Sequence, residues 1–278
     1  MDSEFAQDQP GVATGSRQGA VAKNQLGVAA RREAIVKAAR QEGALVAADL
    51  AERFVVSPET IRRDLRHLEQ TGQIVRSYGT LRAVESGLFE TGHQHRSTEN
   101  REEKERIAAA AAQQIGDADT IFLDEGFLPS RIALILPSTR PLTVVTTSLH
   151  IAEALSGTPQ HTTIMVGGRV RARTRGVVDM WAVQMLQSMQ LDLAFIGANG
   201  VTEQGHLTTP DPAVAQVKEA AMASSARNIF IGDHTKFGRR TFTKFGALSS
   251  CESGITGKEL GESRANRYRA RGANLLLV

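Results

Sequence analysis

The sequence predicts an α/β protein in two parts: an N-terminal winged helix-turn-helix domain and a larger domain built on a mostly parallel β-sheet. Three observations predict this architecture. A capped basic helix at residues 57–71 follows a short helix and a tight turn, and two strand-like segments come directly after it. Beyond residue 100, short apolar runs alternate with helical stretches, which is typical of a sheet covered by helices on both faces.

Length and composition set the outer limits. The chain has 278 residues and a net charge of +3, enough for one small and one larger domain but without a strong basic field. Its one cysteine, Cys251, excludes an intrachain disulfide and a cysteine-based zinc cluster. No apolar run reaches membrane length, and the start lacks the features of a secretory signal. We expect a soluble cytoplasmic protein without a metal, another cofactor or a membrane partner.

We divide the chain into four segments by composition and periodicity. The tail, rich in Gln, Gly, Ala and Ser, is expected to be flexible. The linker contains His93 and His95, but no further ligand residues cluster with them, so we predict solvated histidines there. The segments are the tail 1–27, the DNA-binding domain 28–84, the linker 85–100 and the effector-binding and oligomerisation domain 101–278.

The first predicted helix spans residues 31–40, with Ile35 inward and Arg31 and Arg32 outward, and Gly43 ends it. A second, shorter helix is predicted at residues 46–54.

The start of the third helix is the strongest local signal. Only Val55 and Val56 separate the second helix from Ser57, which is a good N-cap, and Pro58 suits the first helical position. A short helix, a tight turn and a capped helix predict a helix-turn-helix.

The third helix carries an inward apolar stripe of Ile61, Leu65 and Leu68, and its opposite face is mostly basic. A surface helix with solvated arginines is the alternative interpretation, but the preceding turn and the following wing favour DNA binding. A helix fits the major groove, and its N-terminal residues reach base edges. We predict DNA contacts from Ser57, Thr60, Arg62, Arg63, Arg66 and Arg76.

A wing is predicted after the third helix. Residues 73–78 alternate like a strand, Gly79 turns the chain, and residues 81–84 can return. Arg76 and Arg82 on this wing are expected to meet phosphate or the minor groove, contacts that position a protein without reading sequence.

Short apolar runs predict the strands of the second domain, and helical stretches precede or separate most of them. The runs lie at residues 120–124, 142–146, 163–166, 193–196, 228–231 and 274–278. The helical stretches lie at residues 101–115, 149–156, 177–189 and 212–225.

Several of these runs end in polar or glycine-rich turns. Ligands of an open parallel sheet sit outside the carboxyl ends of the strands, where glycines let backbone N–H groups approach an anion. Each turn alone is weak evidence, but four turns on one edge predict a small-anion site. The turns are 124–126, 167–169, 197–200 and 232–238, with Arg169, Lys218 and Lys236 close to them in sequence.

With these motifs in order, the chain resembles the DeoR family of bacterial transcriptional regulators (glycerol-3-phosphate regulon repressor-like) from about residue 27 to residue 278. The matching segments are 57–65, 167–169, 197–200, 207–211, 217–218 and 235–238. The resemblance implies a winged helix and a sensor domain related in fold to ribose-5-phosphate isomerase and coenzyme A transferases. It also implies a repressor, less often an activator, of carbohydrate metabolism genes that responds to a phosphorylated sugar or related metabolite. A homo-oligomer, a dimer or tetramer, is expected.

The resemblance implies an effector pocket lined by Asp124, Gly126, Gly167, Gly168, Arg169, Asn199, Gly200, Asp211, Lys218 and Lys236. One segment departs from the family. Its members usually carry Asp-Ser-Gly-Thr-Thr after the first strand, whereas this chain has a glutamate, Glu125, and Phe127 and Leu128 in place of the hydroxyls. Glu125 is expected to repel a phosphate. Either Ser130 and Arg131 substitute, or the ligand is less anionic, or the pocket has lost its usual effector.

The sequence leaves two alternatives to a metabolite-responsive regulator of operator DNA. One is an isomerase-like or transferase-like enzyme with an accessory DNA-binding domain, for which Glu125, Asp211, Glu219 and Asp233 could act as acid or base. The other is an effector-independent DNA-binding protein. Nothing in the sequence demands turnover, so we predict no catalytic residues and a protein that is not an enzyme.

Overall fold

The computed structural model describes residues 27–71, 73–77, 79–83 and 99–278. Almost all of the predicted tail, and most of the predicted linker with His93 and His95, lie outside the described residues. The division of the chain into four segments stays a prediction.

Within its described residues, the N-terminal domain has three helices and a three-stranded antiparallel sheet with strand order β1-β3-β2. This is the predicted winged helix-turn-helix with one additional strand. Its elements are α1 (Val28–Glu42), β1 (Ala44–Val46), α2 (Asp49–Arg53), α3 (Pro58–Gln70), β2 (Ile74–Ser77) and β3 (Thr80–Ala83).

The additional strand corrects the prediction of a helix over residues 46–54. Val46 is the last residue of β1 and pairs with Thr80 of the wing, and the helix begins at Asp49. Leu45 is buried while its neighbours are exposed, so β1 contributes one apolar side chain to the core of the domain. Three residues are too few to show the alternation that marks a strand in sequence.

A buried carboxylate joins the first and third helices. Asp64 of α3 is 2% exposed, and its oxygens accept hydrogen bonds from Arg31 Nε at 2.6 Å and Arg32 Nε at 2.8 Å. Arg31 is 7% exposed, so its predicted outward position is wrong. The helical period placed it on the polar side of α1, but α3 covers that side and supplies the charge that a buried arginine requires.

The second domain is a seven-stranded parallel sheet with strand order β15-β14-β12-β9-β4-β5-β6. Its strands are β4 (Thr120–Leu123), β5 (Thr143–Thr146), β6 (Thr162–Met165), β9 (Leu191–Ile196), β12 (Ser225–Ile231), β14 (Ser253–Thr256) and β15 (Leu275–Leu277). Its helices are α4 (Arg101–Gln113), α5 (Phe127–Ala133), α6 (Leu149–Leu155), α7 (Met180–Gln187), α8 (Pro212–Ala223) and α9 (Glu262–Arg269).

Alternate residues of the central strands feed two separate hydrophobic cores, one on each face of the sheet. In β4, Phe122 belongs to one core, and Ile121 and Leu123 belong to the other. In β9, Phe195 and Ile196 divide between the same two cores. Burial on both faces explains why these strands are continuous apolar runs in the sequence, as predicted.

Small β-elements beside the main sheet were not predicted. They are β7 (Arg169–Val170) with β8 (Val177–Val178), and β10 (Gly200–Val201), β11 (His206–Thr209) and β13 (Thr243–Ala247). Three 3-10 turns lie at His234–Lys236, Leu248–Ser250 and Lys258–Leu260. The predicted helix 177–189 is therefore shorter, because its first two residues form β8.

Within the part of the chain that the structure describes, no helix combines the length and the apolar character that a membrane span requires.

Candidate functional site

The exposed face of α3 is the candidate DNA-binding surface. The apolar stripe of this helix is buried, while Arg62, Arg63 and Arg66 are exposed, as the helical period predicts. Arg63 and Arg66 form no ion pair within the described residues, and Arg62 lies 3.5 Å from Glu59 Oε2 with its side chain 69% exposed. The arginines thus remain accessible to phosphates or base edges.

Two of the predicted DNA contacts also hold the helix start. Ser57 is the N-cap of α3: its Oγ accepts a hydrogen bond from the backbone N–H of Thr60 at 3.2 Å. The two hydroxyl groups lie 2.8 Å apart, within hydrogen-bonding distance. Both side chains therefore stabilise the end of the helix that would enter a groove, whatever they contact on DNA.

The wing arginine Arg76 is exposed and pairs with Glu69 of α3 at 3.1 Å. An exposed pair of this kind contributes only about 0–1 kcal/mol, so a DNA phosphate can displace the carboxylate. Arg82 on β3 is half-buried.

In the second domain, a cavity opens at the carboxyl ends of three neighbouring strands, β4, β9 and β12. Of the ten residues predicted for an effector pocket, Gly126, Asn199, Lys218 and Lys236 line it, and Asp124 lies beneath it. The other lining residues include Lys104, Glu125, Phe127, Leu128, Pro129, Gly197, Ala198, Ile231, Gly232 and Asp233.

Asp124 and Lys218 form a buried ion pair at the base of the cavity. The side chains are 2% and 5% exposed, and Lys218 Nζ contacts Asp124 Oδ2 directly. Asp124 also accepts hydrogen bonds from the backbone N–H of Gly197 at 2.9 Å and of Glu125 at 2.8 Å. The carboxylate thereby ties β4, the β9 turn and α8 together.

Glu125, which was expected to repel an anion, is buried and paired with Arg171. Arg171 Nη1 donates to Glu125 Oε1 at 3.0 Å, and Arg171 Nε lies 3.2 Å from Asp211 Oδ2. The carboxylate packs directly on Gly176, where any Cβ would overlap it. Because Arg171 neutralises it, the charge of Glu125 does not by itself argue against an anionic ligand.

Ser130 and Arg131 do not replace the hydroxyls that are missing from the turn. Ser130 Oγ donates to the carbonyl of Gly126 at 2.7 Å, which closes the first turn of α5. Arg131 Nε donates to Glu105 Oε2 at 2.9 Å. Neither residue lines the cavity.

Two lysines, Lys104 and Lys236, and one aspartate, Asp233, form the opposite wall of the cavity. Lys104 of α4 is 5% exposed, and its Nζ lies 3.5 Å from Asp233 Oδ2 and 5.8 Å from the ring centre of Phe127. Burial lowers the pKa of Lys104 from the usual lysine value, against the attraction of Asp233. Burial alone would raise the pKa of Asp233, but Lys236, Lys104 and hydrogen bonds from Thr235 hold it below the usual value. The wall therefore combines two ammonium groups with one carboxylate.

The remaining predicted pocket residues lie outside the cavity lining. Gly167, Gly168 and Arg169 follow β6, and β5 separates that strand from β4, which puts them about 10 Å along the sheet. Arg169 is exposed and pairs with Asp179 at 2.6 Å.

Gly200 and Asp211 contact other parts of the protein and do not line the cavity. A Cβ at Gly200 would lie 2.7 Å from the carbonyl oxygen of Arg239, so close packing explains the glycine. Asp211 caps α8 by accepting a hydrogen bond from Ala213 N at 2.9 Å, and it also pairs with Arg171. An effector role for these two residues and for residues 167–169 stays a prediction.

Within the described residues, Glu103, Asp233 and His234 are grouped closely enough to offer three ligand atoms to a cation. Glu103 already accepts a hydrogen bond from the His234 backbone N–H at 2.8 Å, and its second oxygen lies 2.8 Å from His234 Nδ1. Lys104 lies beside Asp233. The positive charge there disfavours a cation, so we assign no metal to this group.

Comparison with known proteins matches both parts of the chain. The family described as the DeoR-like helix-turn-helix domain matches residues 31–87, and the DeoR C terminal sensor domain matches residues 99–258.

Individual proteins are similar over most of the chain. The glycerol-3-phosphate regulon repressor of Escherichia coli is 31% identical over 81% of this chain and 89% of its own. The HTH-type transcriptional regulator GlpR of Haloferax volcanii is 29% identical over 89% of this chain and 97% of its own. A solved ribose 5-phosphate isomerase A from Methanocaldococcus jannaschii is 17% identical over 50% of this chain and 55% of that chain, with a TM-score of 0.36.

Proposed function

The chain belongs to the DeoR family of helix-turn-helix transcriptional regulators, and from that premise we propose that it represses carbohydrate metabolism genes under the control of a phosphorylated sugar or related metabolite. One observation carries the effector part of this proposal. The cavity at the carboxyl ends of β4, β9 and β12 is lined by three lysines, Lys104, Lys218 and Lys236. A regulator of this kind works in the cytoplasm, on double-stranded operator DNA.

The charge balance of the cavity supports an anionic ligand. Asp124 neutralises Lys218, and Arg171 neutralises Glu125. The residues that line the cavity carry three ammonium groups and two carboxylates, and the buried carboxylate of Glu103 behind this wall is hydrogen-bonded to His234. Phe127 and Leu128 add an apolar side that suits the carbon skeleton of a small metabolite.

The carboxylates in and around the cavity fit a site that binds a ligand better than a site that converts a substrate. Asp124 and Glu125 are held in buried ion pairs, and Asp211 caps a helix. A carboxylate that acts as a general base must reach a substrate proton, and these three are engaged elsewhere. We therefore propose a regulator and not an isomerase, and an assay with pentose phosphates tests it: steady product formation would contradict the proposal.

The deciding experiment is a DNA-shift titration with the promoter region upstream of the chain's own gene. It is repeated with glycerol 3-phosphate, a set of hexose and pentose phosphates, and the same sugars without phosphate. We expect one phosphorylated compound to weaken the shift while its unphosphorylated form does not. A shift that no compound alters would favour the effector-independent alternative.

Lys236→Ala tests the cavity as the effector site. We expect this variant to bind operator DNA like the wild type but to lose the response to the active compound, because one of the two ammonium groups of the opposite wall is gone. The response is measured in the same titration. Lys244→Ala removes an exposed lysine of β13 and is expected to change nothing. A full response in Lys236→Ala would exclude Lys236 from the site.

Arg63→Ala tests the exposed face of α3 as the reading surface. If Arg63 contacts a base, the variant loses about 1–3 kcal/mol of operator binding and becomes less selective at one base pair. Fluorescence anisotropy with the operator and with single-base variants measures both effects. Arg53→Ala, which removes an exposed arginine of α2 paired with Glu42, is the control. An equal loss on every sequence would make Arg63 a phosphate contact.

We further propose a dimer or tetramer, so that two α3 helices reach successive major grooves and the operator contains repeated half-sites. Sedimentation of the free protein and footprinting of the operator test this arrangement. A monomer that protects a single half-site would contradict it.

A further inference from the structure

Lys104 touches both the cavity and the beginning of the sensor domain. Its side chain lines the cavity, and its Nζ donates a hydrogen bond to the carbonyl oxygen of Glu99 at 2.7 Å. Glu99 is the first described residue after the segment that leads from the DNA-binding domain, and α4 begins two residues later at Arg101. One ammonium group therefore connects the candidate effector site to the point where the chain enters the sensor domain.

This contact lies at the start of α4, where the helix has no side-chain cap. Asn100 occupies the N-cap position in the left-handed region, at φ 50°, and its side chain makes no capping hydrogen bond. The backbone N–H of Lys104 donates to the Asn100 carbonyl at 3.0 Å and closes the first helical turn. The side chain of the same residue, Lys104, reaches back to Glu99. The Lys104 side chain thus stabilises the first turn of α4, which has no side-chain cap.

The Lys104 ammonium group can also donate hydrogen bonds to an anion in the cavity. Its Nζ lies 3.5 Å from Asp233 Oδ2, and the side chain lines the cavity that an anion would enter. The hydrogen bond to the Glu99 carbonyl is charge-assisted through the ammonium group alone, whereas an anion adds the attraction of a second, opposite charge. An anion in the cavity would therefore compete with the Glu99 carbonyl for Lys104, and Lys236 on the same wall would attract it too.

We propose that Lys104 binds the anionic group of the effector and, in doing so, exchanges the Glu99 carbonyl for that anion, which loosens the first turn of α4. This inference rests on the proposed function in one respect, that the cavity binds an anionic effector. It adds a binding residue and a route by which an occupied cavity alters the chain leading to the DNA-binding domain.

Hydrogen exchange measured by mass spectrometry on the full chain tests the exchange of partners, with inorganic phosphate as the probe. The peptide of interest covers residues 99–104. Two substitutions separate the roles of the side chain: Lys104→Met removes the charge and the donor, whereas Lys104→Gln removes the charge and keeps an N–H donor. Lys258→Met, at an exposed lysine outside the cavity, is the matched control.

Without phosphate, Lys104→Met should exchange this peptide about tenfold faster than the wild type, the effect of losing one charge-assisted hydrogen bond. Saturating phosphate should accelerate exchange in the wild type and in Lys258→Met but not in Lys104→Met. Lys104→Gln, which makes only a neutral hydrogen bond, should exchange at a rate between those of the wild type and Lys104→Met and should not respond to phosphate. It keeps the test valid if Lys104→Met fails to fold.

Several results would overturn the inference: wild-type exchange in a folded Lys104→Met, an undiminished phosphate response in either variant, or no phosphate response in the wild type. Operator binding by the wild type is measured in parallel. If the operator shift is normal and the exchange results disagree, only the role of Lys104 fails. If the wild type does not bind its operator, the proposed function fails, while the phosphate-free comparison still decides whether Lys104 holds Glu99.

Discussion

Replacing Asp64 by alanine is expected to lower the free energy of unfolding of the DNA-binding domain by about 3–5 kcal/mol. The substitution leaves the guanidinium group of Arg31 buried at 7% exposure without the carboxylate that neutralises it, and it releases Arg32 as well. A small domain with a total stability of about 5–15 kcal/mol can lose most of its folded population through such a change. Operator binding should fall in step with folding.

Chemical denaturation followed by circular dichroism measures this loss, together with operator affinity at a temperature where the wild type is folded. Asp49→Ala removes an exposed carboxylate at the start of α2 and serves as the control, with little expected effect. The double variant Arg31→Leu with Asp64→Leu should recover much of the stability, because it removes both buried charges. A stable Asp64→Ala would show that water reaches Arg31.

The sensor domain should be equally sensitive to Asp124→Ala, with a loss of about 3–5 kcal/mol. This change leaves the ammonium group of Lys218 buried at 5% side-chain exposure, and it removes the acceptor for the Gly197 and Glu125 amides. The floor of the cavity is then unsupported, so the effector response should disappear even where the domain remains folded.

Calorimetry of the full chain separates this effect from the first, because only the transition of the sensor domain should shift. Asp117→Ala, which removes an exposed carboxylate before β4, is the comparison. If Asp124→Ala unfolds like the wild type yet loses the response, Asp124 contacts the effector and contributes little to stability.

The elements that could be predicted from the sequence are those whose signals are local. Helix α3 begins and ends close to its predicted bounds because Ser57, Pro58 and the apolar stripe act within the helix itself. The strands β4, β9 and β12 were found because burial on both faces requires continuous apolar residues.

The missed elements take their structure from distant partners. The strand β14 has the sequence Ser-Gly-Ile-Thr, and it lies in the sheet because β12 and β15 pair with its two edges. Val46 likewise belongs to a strand because it meets Thr80, which follows more than thirty residues later. Pairing over such distances leaves no pattern within the short segment itself.

The candidate site divides in the same way. Asp124, Gly126 and Asn199 follow neighbouring strands, so their turns meet as predicted. The glycine turn after β6 resembles these turns in sequence, but β5 separates it from the cavity. The order of strands in the sheet cannot be read from the residues of one turn. Lys104 was missed because it reaches the cavity from a helix that precedes the sheet, where no turn marks it.

The contact between Glu125, Arg171 and Gly176 makes these three positions depend on one another. A glutamate at position 125 requires a positive partner and a neighbour without a side chain, so a glutamate without them would be strongly destabilising. Arg171 also pairs with Asp211 and therefore has a use without the glutamate. We expect homologues with glutamate at position 125 to carry both the arginine and the glycine. The three positions would then be inherited as one unit.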